Sequence, residues 1–170
     1  AALLIDPDTE EILYARNIHE RLYPASLTKI MTCLLVLEAI DNGALSRETV
    51  LTASERAVNS IPADGSTAGI KVGEELPVEE LLYCIMLSSA NEGCNILAEA
   101  VSGSIDAFVE KMNAKASALG CEDTRFANTN GLPDANHYTT AWDLWLITRE
   151  ARTYPDFMSI VGTIYHEVPA

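Results

Sequence analysis

Residues Ile30 to Ile40 read Ile-Met-Thr-Cys-Leu-Leu-Val-Leu-Glu-Ala-Ile. At 3.6 residues per turn, apolar side chains fall on nearly every side of such a helix. A helix with no face for water has to be enclosed by other elements. The run is too short to span a bilayer, and Asp41-Asn42-Gly43 gives it a good stop. The chain is therefore expected to bury a helix running from about Ser26 to Asp41.

The start of that helix carries chemistry. Pro24 suits the first turn, and Pro24-Ala25-Ser26-Leu27-Thr28-Lys29 places Ser26 and Lys29 three residues apart, on one face. A serine is a weak nucleophile until a base takes its proton. Burial lowers a lysine pKa and makes the neutral amine a candidate base. A helix start also offers N–H groups and a positive dipole end to a developing alkoxide. A surface lysine on a first turn is the plain alternative, and the spacing alone does not separate the two.

A second constellation follows. Leu81 to Leu87 reads as a buried helix, breaks at Ser88-Ser89-Ala90-Asn91, and resumes at Glu92 to about Ser102. A hydroxyl and an amide at a junction between apolar helices need partners there. Ser89 is a candidate proton relay, and Asn91 is a candidate for orienting a substrate. Asn91 is equally a candidate N-cap of the second helix.

Composition sets limits. With 170 residues and 48% hydrophobic content the chain suits one domain with a real core. It has 25 acidic against 11 basic residues, a net charge of −14. That argues against nucleic acid and against an anionic membrane surface as partners. Cys33, Cys84, Cys94 and Cys121 lack paired metal spacing. Cys33 and Cys84 lie in apolar helical runs, so buried thiols are expected rather than disulfides. His19, His137 and His166 are not spaced as ligands, and His137 is expected to support a loop, with contact to a substrate as the alternative.

The rest reads as short strands at Ala2–Asp6 and Ile12–Asn17 joined by a Pro7-Asp8 turn. Short pieces cover Val50 to Gly73, with Lys71-Val72-Gly73 a turn. Helices are expected over about Val78–Leu87, Glu92–Ser102 and Ile105–Leu119, the last with Ser104 as N-cap and Gly120 after its end. Another helix is expected from Thr140 to about Arg152, opened by a Thr140-to-Asp143 capping box. A short helix and a strand near Ile164–Val168 close the chain.

Ser26-x-x-Lys29 followed by Ser89-Ala90-Asn91 resembles the first two motifs of the penicillin-binding serine hydrolases. The string Tyr23-Pro24-Ala25-Ser26-Leu27-Thr28-Lys29-Ile30-Met31-Thr32 is similar to the serine-type D-alanyl-D-alanine carboxypeptidases. So are Asn130-Gly131-Leu132 and His137-Tyr138-Thr139-Thr140-Ala141-x-Asp143. The resemblance implies a mixed α/β fold of the penicillin-binding protein and β-lactamase type, here mostly its helical part with an incomplete antiparallel sheet. It implies that residues 1–170 form part of a catalytic domain that stops before the family's third motif, Lys-Thr-Gly. A half-built sheet would leave exposed edge and apolar surface, so this stretch alone is expected to be unstable or to associate.

The implied reaction is acyl transfer. Ser26 attacks the carbonyl between two terminal D-alanines of a peptidoglycan stem peptide, with Lys29 as base, Ser89 as relay and Asn91 binding the substrate amide. The Ser26 N–H gives half of an oxyanion hole. β-Lactam antibiotics would acylate Ser26, and the resemblance implies no metal or organic cofactor. The implied setting is the cell envelope, outside the cytoplasm, with the export signal absent from this stretch and membrane attachment only through a missing C-terminal anchor. Gly65-Ser66-Thr67 resembles a segment bordering the family's cleft. A class A-like β-lactamase shares both motifs but needs a glutamate after the second; Asn128 to Thr140 holds only Asp134, which reads as turn chemistry. A non-catalytic wall-binding module on the same fold is the other alternative.

Overall fold

The computed structural model describes residues 1–168. The apolar run forms α1 (Thr28–Asp41), and the packing answers its composition. Helices α3 (Val78–Leu87), α4 (Asn91–Ser102), α5 (Ile105–Ala118), α6 (Ala141–Ala151) and α7 (Pro155–Val161) all touch it. Met31, Cys33, Leu34, Leu35 and Val36 are wholly enclosed. Phe108 and Met112 of α5, Leu81, Leu82 and Ile85 of α3, and Ile147 of α6 complete the same core. Burying each such side chain contributes about 1.5–3 kcal/mol, so α1 is the element the rest of the molecule is assembled upon.

Two antiparallel ribbons flank the helices. β1 (Ala2–Ile5) pairs with β2 (Ile12–Arg16), with Ala2 opposite Arg16 and an irregularity between Leu4 and Ile5. The Asp6 carboxylate accepts from the Asp8 and Thr9 N–H groups and shapes the connecting turn. β1 lies against α6. β2 is exposed throughout, and Leu4, Leu13 and Tyr14 are each more than half exposed. Leu4 and Tyr14 lie opposite each other on one face of the ribbon and Leu13 points to the other, so both faces carry exposed apolar surface. A separate ribbon joins β3 (Val50–Thr52) to β4 (Glu75–Pro77), with a short helix α2 (Glu55–Asn59) in the excursion between them.

Helix ends follow their caps in part. Ser104 accepts from Ala107 N–H at 3.1 Å, and Gly120 follows α5 with φ +82°. Thr140 caps α6 by accepting from Asp143 N–H at 3.0 Å, but the box is only half made. The Asp143 carboxylate turns away to accept from Asp123 N–H and the Thr124 hydroxyl, tying the 121–124 loop down. Asn91 is not an N-cap. Ala90 holds that position, and Asn91 is already the first helical residue, which frees its amide for other work.

The strand expected near Ile164–Val168 does not form, and residues 163–168 are irregular. Side chains hold this segment instead. The His166 ring stacks on Tyr83 at 3.7 Å and shares a 2.7 Å hydrogen bond with Glu80 of α3. All four cysteines are free and buried, as read from the sequence. Among the described residues no helix is long and apolar enough to cross a membrane.

Candidate active site

Ser26 does not lie in the α-helix proper. Ala25 to Leu27 form a 3-10 turn that feeds into α1 at Thr28. Ala25, just before Ser26, has φ +49°, a left-handed conformation that is costly for a residue with a Cβ. The strained start lifts the Ser26 side chain out of the core, while Lys29 one turn on is only 2% exposed.

Lys29 enters a cage of oxygens. Its amine donates to Asn91 Oδ1 at 2.8 Å and to the main-chain oxygen of Asn130 at 2.8 Å, and lies 3.3 Å from Ser26 Oγ. As an ammonium it donates to all three. As a neutral amine its two N–H bonds satisfy the two short contacts, and its lone pair is left facing the Ser26 hydroxyl. Burial lowers its pKa from the ordinary 10.5, and Glu92 pulls the other way. The lysine is thus a partly desolvated amine lying 3.3 Å from the Ser26 hydroxyl.

Ser89 also stands beside Ser26. Its hydroxyl is 2.9 Å from Ser26 Oγ. Ser89 adopts φ +57°, a second left-handed residue in the same cleft. The break between α3 and α4 is therefore a sharp corner that aims a hydroxyl, and the next helical residue supplies the Asn91 amide. All four residues singled out in the sequence, Ser26, Lys29, Ser89 and Asn91, meet in one hydrogen-bonded cluster.

Residues not singled out for the site support it. Asn128 Oδ1 accepts from Gly131 N–H at 2.8 Å, and Asn130 Oδ1 accepts from Leu132 N–H at 3.1 Å. These Asx turns fix the Asn130 carbonyl that Lys29 uses. Thr32 of α1 donates to Thr129 O, and Thr129 donates to Asn95 Oδ1 of α4, both at 2.6 Å. Gly131 (φ +95°) leans on the turn that holds Ser26 so closely that a Cβ there would collide with the Ala25 carbonyl. The Asn128-x-Asn130-Gly131 pattern signals a turn in the sequence but not what the turn touches.

The cleft rim is held by Glu92, a fully enclosed carboxylate beside Asn91. Its Oε1 accepts from the Thr67 hydroxyl at 2.6 Å and Ala68 N–H at 2.8 Å, while Oε2 has no partner among the described residues. Ser66 O accepts from Asn91 N–H at 3.0 Å, and Gly65 lies against the Asn91 amide. The Gly65-Ser66-Thr67 segment thus borders the site. Asp134 serves its turn, accepting from Asn136 N–H at 2.7 Å. A groove of about 740 Å³, lined by Arg125, Phe126 and Tyr138 among others, includes none of the four site residues. Among the described residues no three His, Cys, Asp or Glu side chains converge as metal ligands would.

A helix start bearing Ser-x-x-Lys, faced by a Ser-x-Asn corner, is the architecture of the penicillin-binding serine hydrolases. Residues 1–167 match the family described as D-alanyl-D-alanine carboxypeptidase. The chain belongs to that family. It is 40% identical over 163 residues to D-alanyl-D-alanine carboxypeptidase DacF of Bacillus subtilis (strain 168), covering 96% of this chain and 41% of that protein. The crystal structure of D-alanyl-D-alanine carboxypeptidase DacD from Francisella tularensis superposes with a TM-score of 0.87 at 36% identity, over 94% of this chain and 38% of that one. Penicillin binding protein 5 from Haemophilus influenzae gives 0.88 at 33% identity, over 93% and 46%. The chain spans about two fifths of the length of the curated relatives it matches.

Proposed function

We propose that residues 1–170 are the front part of the catalytic domain of a serine-type D-alanyl-D-alanine carboxypeptidase. The observation that carries this reading is the Ser26 hydroxyl set between the desolvated Lys29 amine at 3.3 Å and the Ser89 hydroxyl at 2.9 Å. Neutral Lys29 takes the Ser26 proton as Ser26 Oγ attacks the carbonyl between two terminal D-alanines of a peptidoglycan stem peptide. Ser89, one hydrogen bond from Ser26, passes a proton to the leaving amine. Asn91 holds Lys29 through Oδ1, and its Nδ2 group binds the substrate amide. Water then releases the acyl group from Ser26. The remaining oxyanion-hole donor and the group that binds the substrate carboxylate belong to a third motif outside these residues.

A β-lactam imitates the D-alanyl-D-alanine end and acylates the same oxygen. The substrate places the reaction in the cell envelope, outside the cytoplasm, and membrane attachment would come from sequence beyond this stretch. The class A-like β-lactamase reading lacks its glutamate, and Asp134, the carboxylate in the comparable loop, is engaged in its own turn.

Intact mass after incubation of the full-length protein with benzylpenicillin tests this reading against Ser26→Ala. The expected result is one penicilloyl adduct on the wild type and none on the variant. An unmodified wild type, or an adduct that survives the substitution, would overturn the assignment of Ser26.

A further inference from the structure

Thr28 lies between the nucleophile and its base in sequence, is fully enclosed, and opens α1 where the 3-10 turn ends. Its hydroxyl is 2.8 Å from Nε2 of His137, a residue 109 positions away and itself 1% exposed. The tautomer follows from the other nitrogen. Nδ1 accepts from Ala127 N–H at 3.1 Å, so it carries no proton, and Nε2–H donates to Thr28. Phe126 packs edge-on to the imidazole at 5.7 Å, and the main-chain N–H of His137 donates to Asp134 O at 3.0 Å. The next residues, Tyr138 and Thr139, bridge to Arg125 and Leu22. The ring is thus a rigid strut from the 125–139 segment to the first turn of α1.

We propose that His137 is a positioning residue for the nucleophile, acting through Thr28 to hold the Ser26 turn within reach of Lys29 and Ser89. The inference rests on the reading of Ser26 as nucleophile. Thr28 N–H donates to Ala25 O, across the turn that presents Ser26. Ala25 is strained, and such a residue keeps its conformation only when its surroundings over-determine it. The His137–Thr28 bond is one such restraint, and the contact of Gly131 with Ala25 is another. A displacement of about 1 Å in a reacting group can cost about 100-fold in rate. His137 itself touches no reacting atom; its contribution is geometric.

The test separates rate from affinity in the benzylpenicillin acylation of the full-length protein. His137→Leu and Thr28→Val each remove the bond. Both are expected to slow the acylation constant about tenfold or more while non-covalent affinity stays within about twofold. The double variant is expected to be no slower than the worse single one, because both remove the same contact. A glutamine offers one acceptor and one donor, so His137→Gln is expected to restore acylation to within about threefold of wild type. Wild-type acylation at Ser26, absent from Ser26→Ala, keeps the nucleophile assignment a separate question. An unchanged rate in Thr28→Val, a loss confined to affinity, or fully multiplicative effects in the double variant would overturn the proposal. Thr28→Val and His137→Gln carry the test alone if His137→Leu does not fold.

Discussion

The main-chain oxygen of Asn130 accepts a 2.8 Å hydrogen bond from the Lys29 amine across 101 residues of chain. With Asn91 Oδ1 as the second short acceptor, the amine has two fixed partners and one direction left, toward Ser26. Its protonation state therefore decides whether that direction holds a proton or a lone pair.

Asn91→Asp tests this arrangement. A carboxylate in place of the amide would hold the Lys29 ammonium and raise its pKa above the wild-type value, which burial keeps below 10.5. The neutral base gains population only as pH rises through that pKa. The rising limb of the acylation rate against pH is expected to move to higher pH, with the rate at neutral pH down about 100-fold. Stopped-flow or mass-resolved acylation between pH 6 and 10 reads both. A limb that stays in place would mean that Lys29 is not the base.

Gly131→Ala is expected to cost about 2–5 kcal/mol, combining left-handed strain with overpacking against Ala25. Denaturant unfolding of the full-length protein checks the value. Acylation by the folded fraction should also fall, because relief of the clash moves both Ala25 and the Asn130 carbonyl. Stability equal to wild type would show that the contact is looser than described.

Burial holds His137 at a pKa of about 4, below its ordinary 6.5, with Asp134 opposing the change. As pH falls from about 6.5 toward 4 the unfolded chain takes up this proton before the folded one. The stability that neutral His137 contributes is therefore present above its unfolded pKa and lost across that window. His137→Gln has no such proton. Its melting temperature is expected to fall less than wild type between pH 7 and 4, measured by scanning calorimetry at closely spaced pH. Parallel curves would place the ring's pKa near its ordinary value.

What the chain discloses before folding depends on how local each relationship is. Ser26 and Lys29 are legible because three residues on a helix start settle their meeting. Ser89 and Asn91 are legible as a polar break between apolar runs, although the side chain that looked like a cap is turned to Lys29. The Asn130 carbonyl is illegible because every residue has one. Glu92 reads as an acid that suits a helix start, and nothing local says that the 67–70 segment closes over it. β3 and β4 escape notice because three-residue strands carry too little alternation to register. The terminal Ile164–Val168 segment alternates well enough, but its described residues have no strand partner and lean on α3 through His166.

The four buried thiols have a use unconnected with catalysis. Desolvation pushes Cys33, Cys94 and Cys121 up to about 12 and Cys84 to about 11, so none is an effective nucleophile while the fold is closed. They sit on α1, α4, the loop after α5, and α3 respectively. Alkylation of each is then a clock that runs only when its own element opens. A single mass-spectrometric time course would rank the elements by opening free energy, with no label introduced and no residue changed.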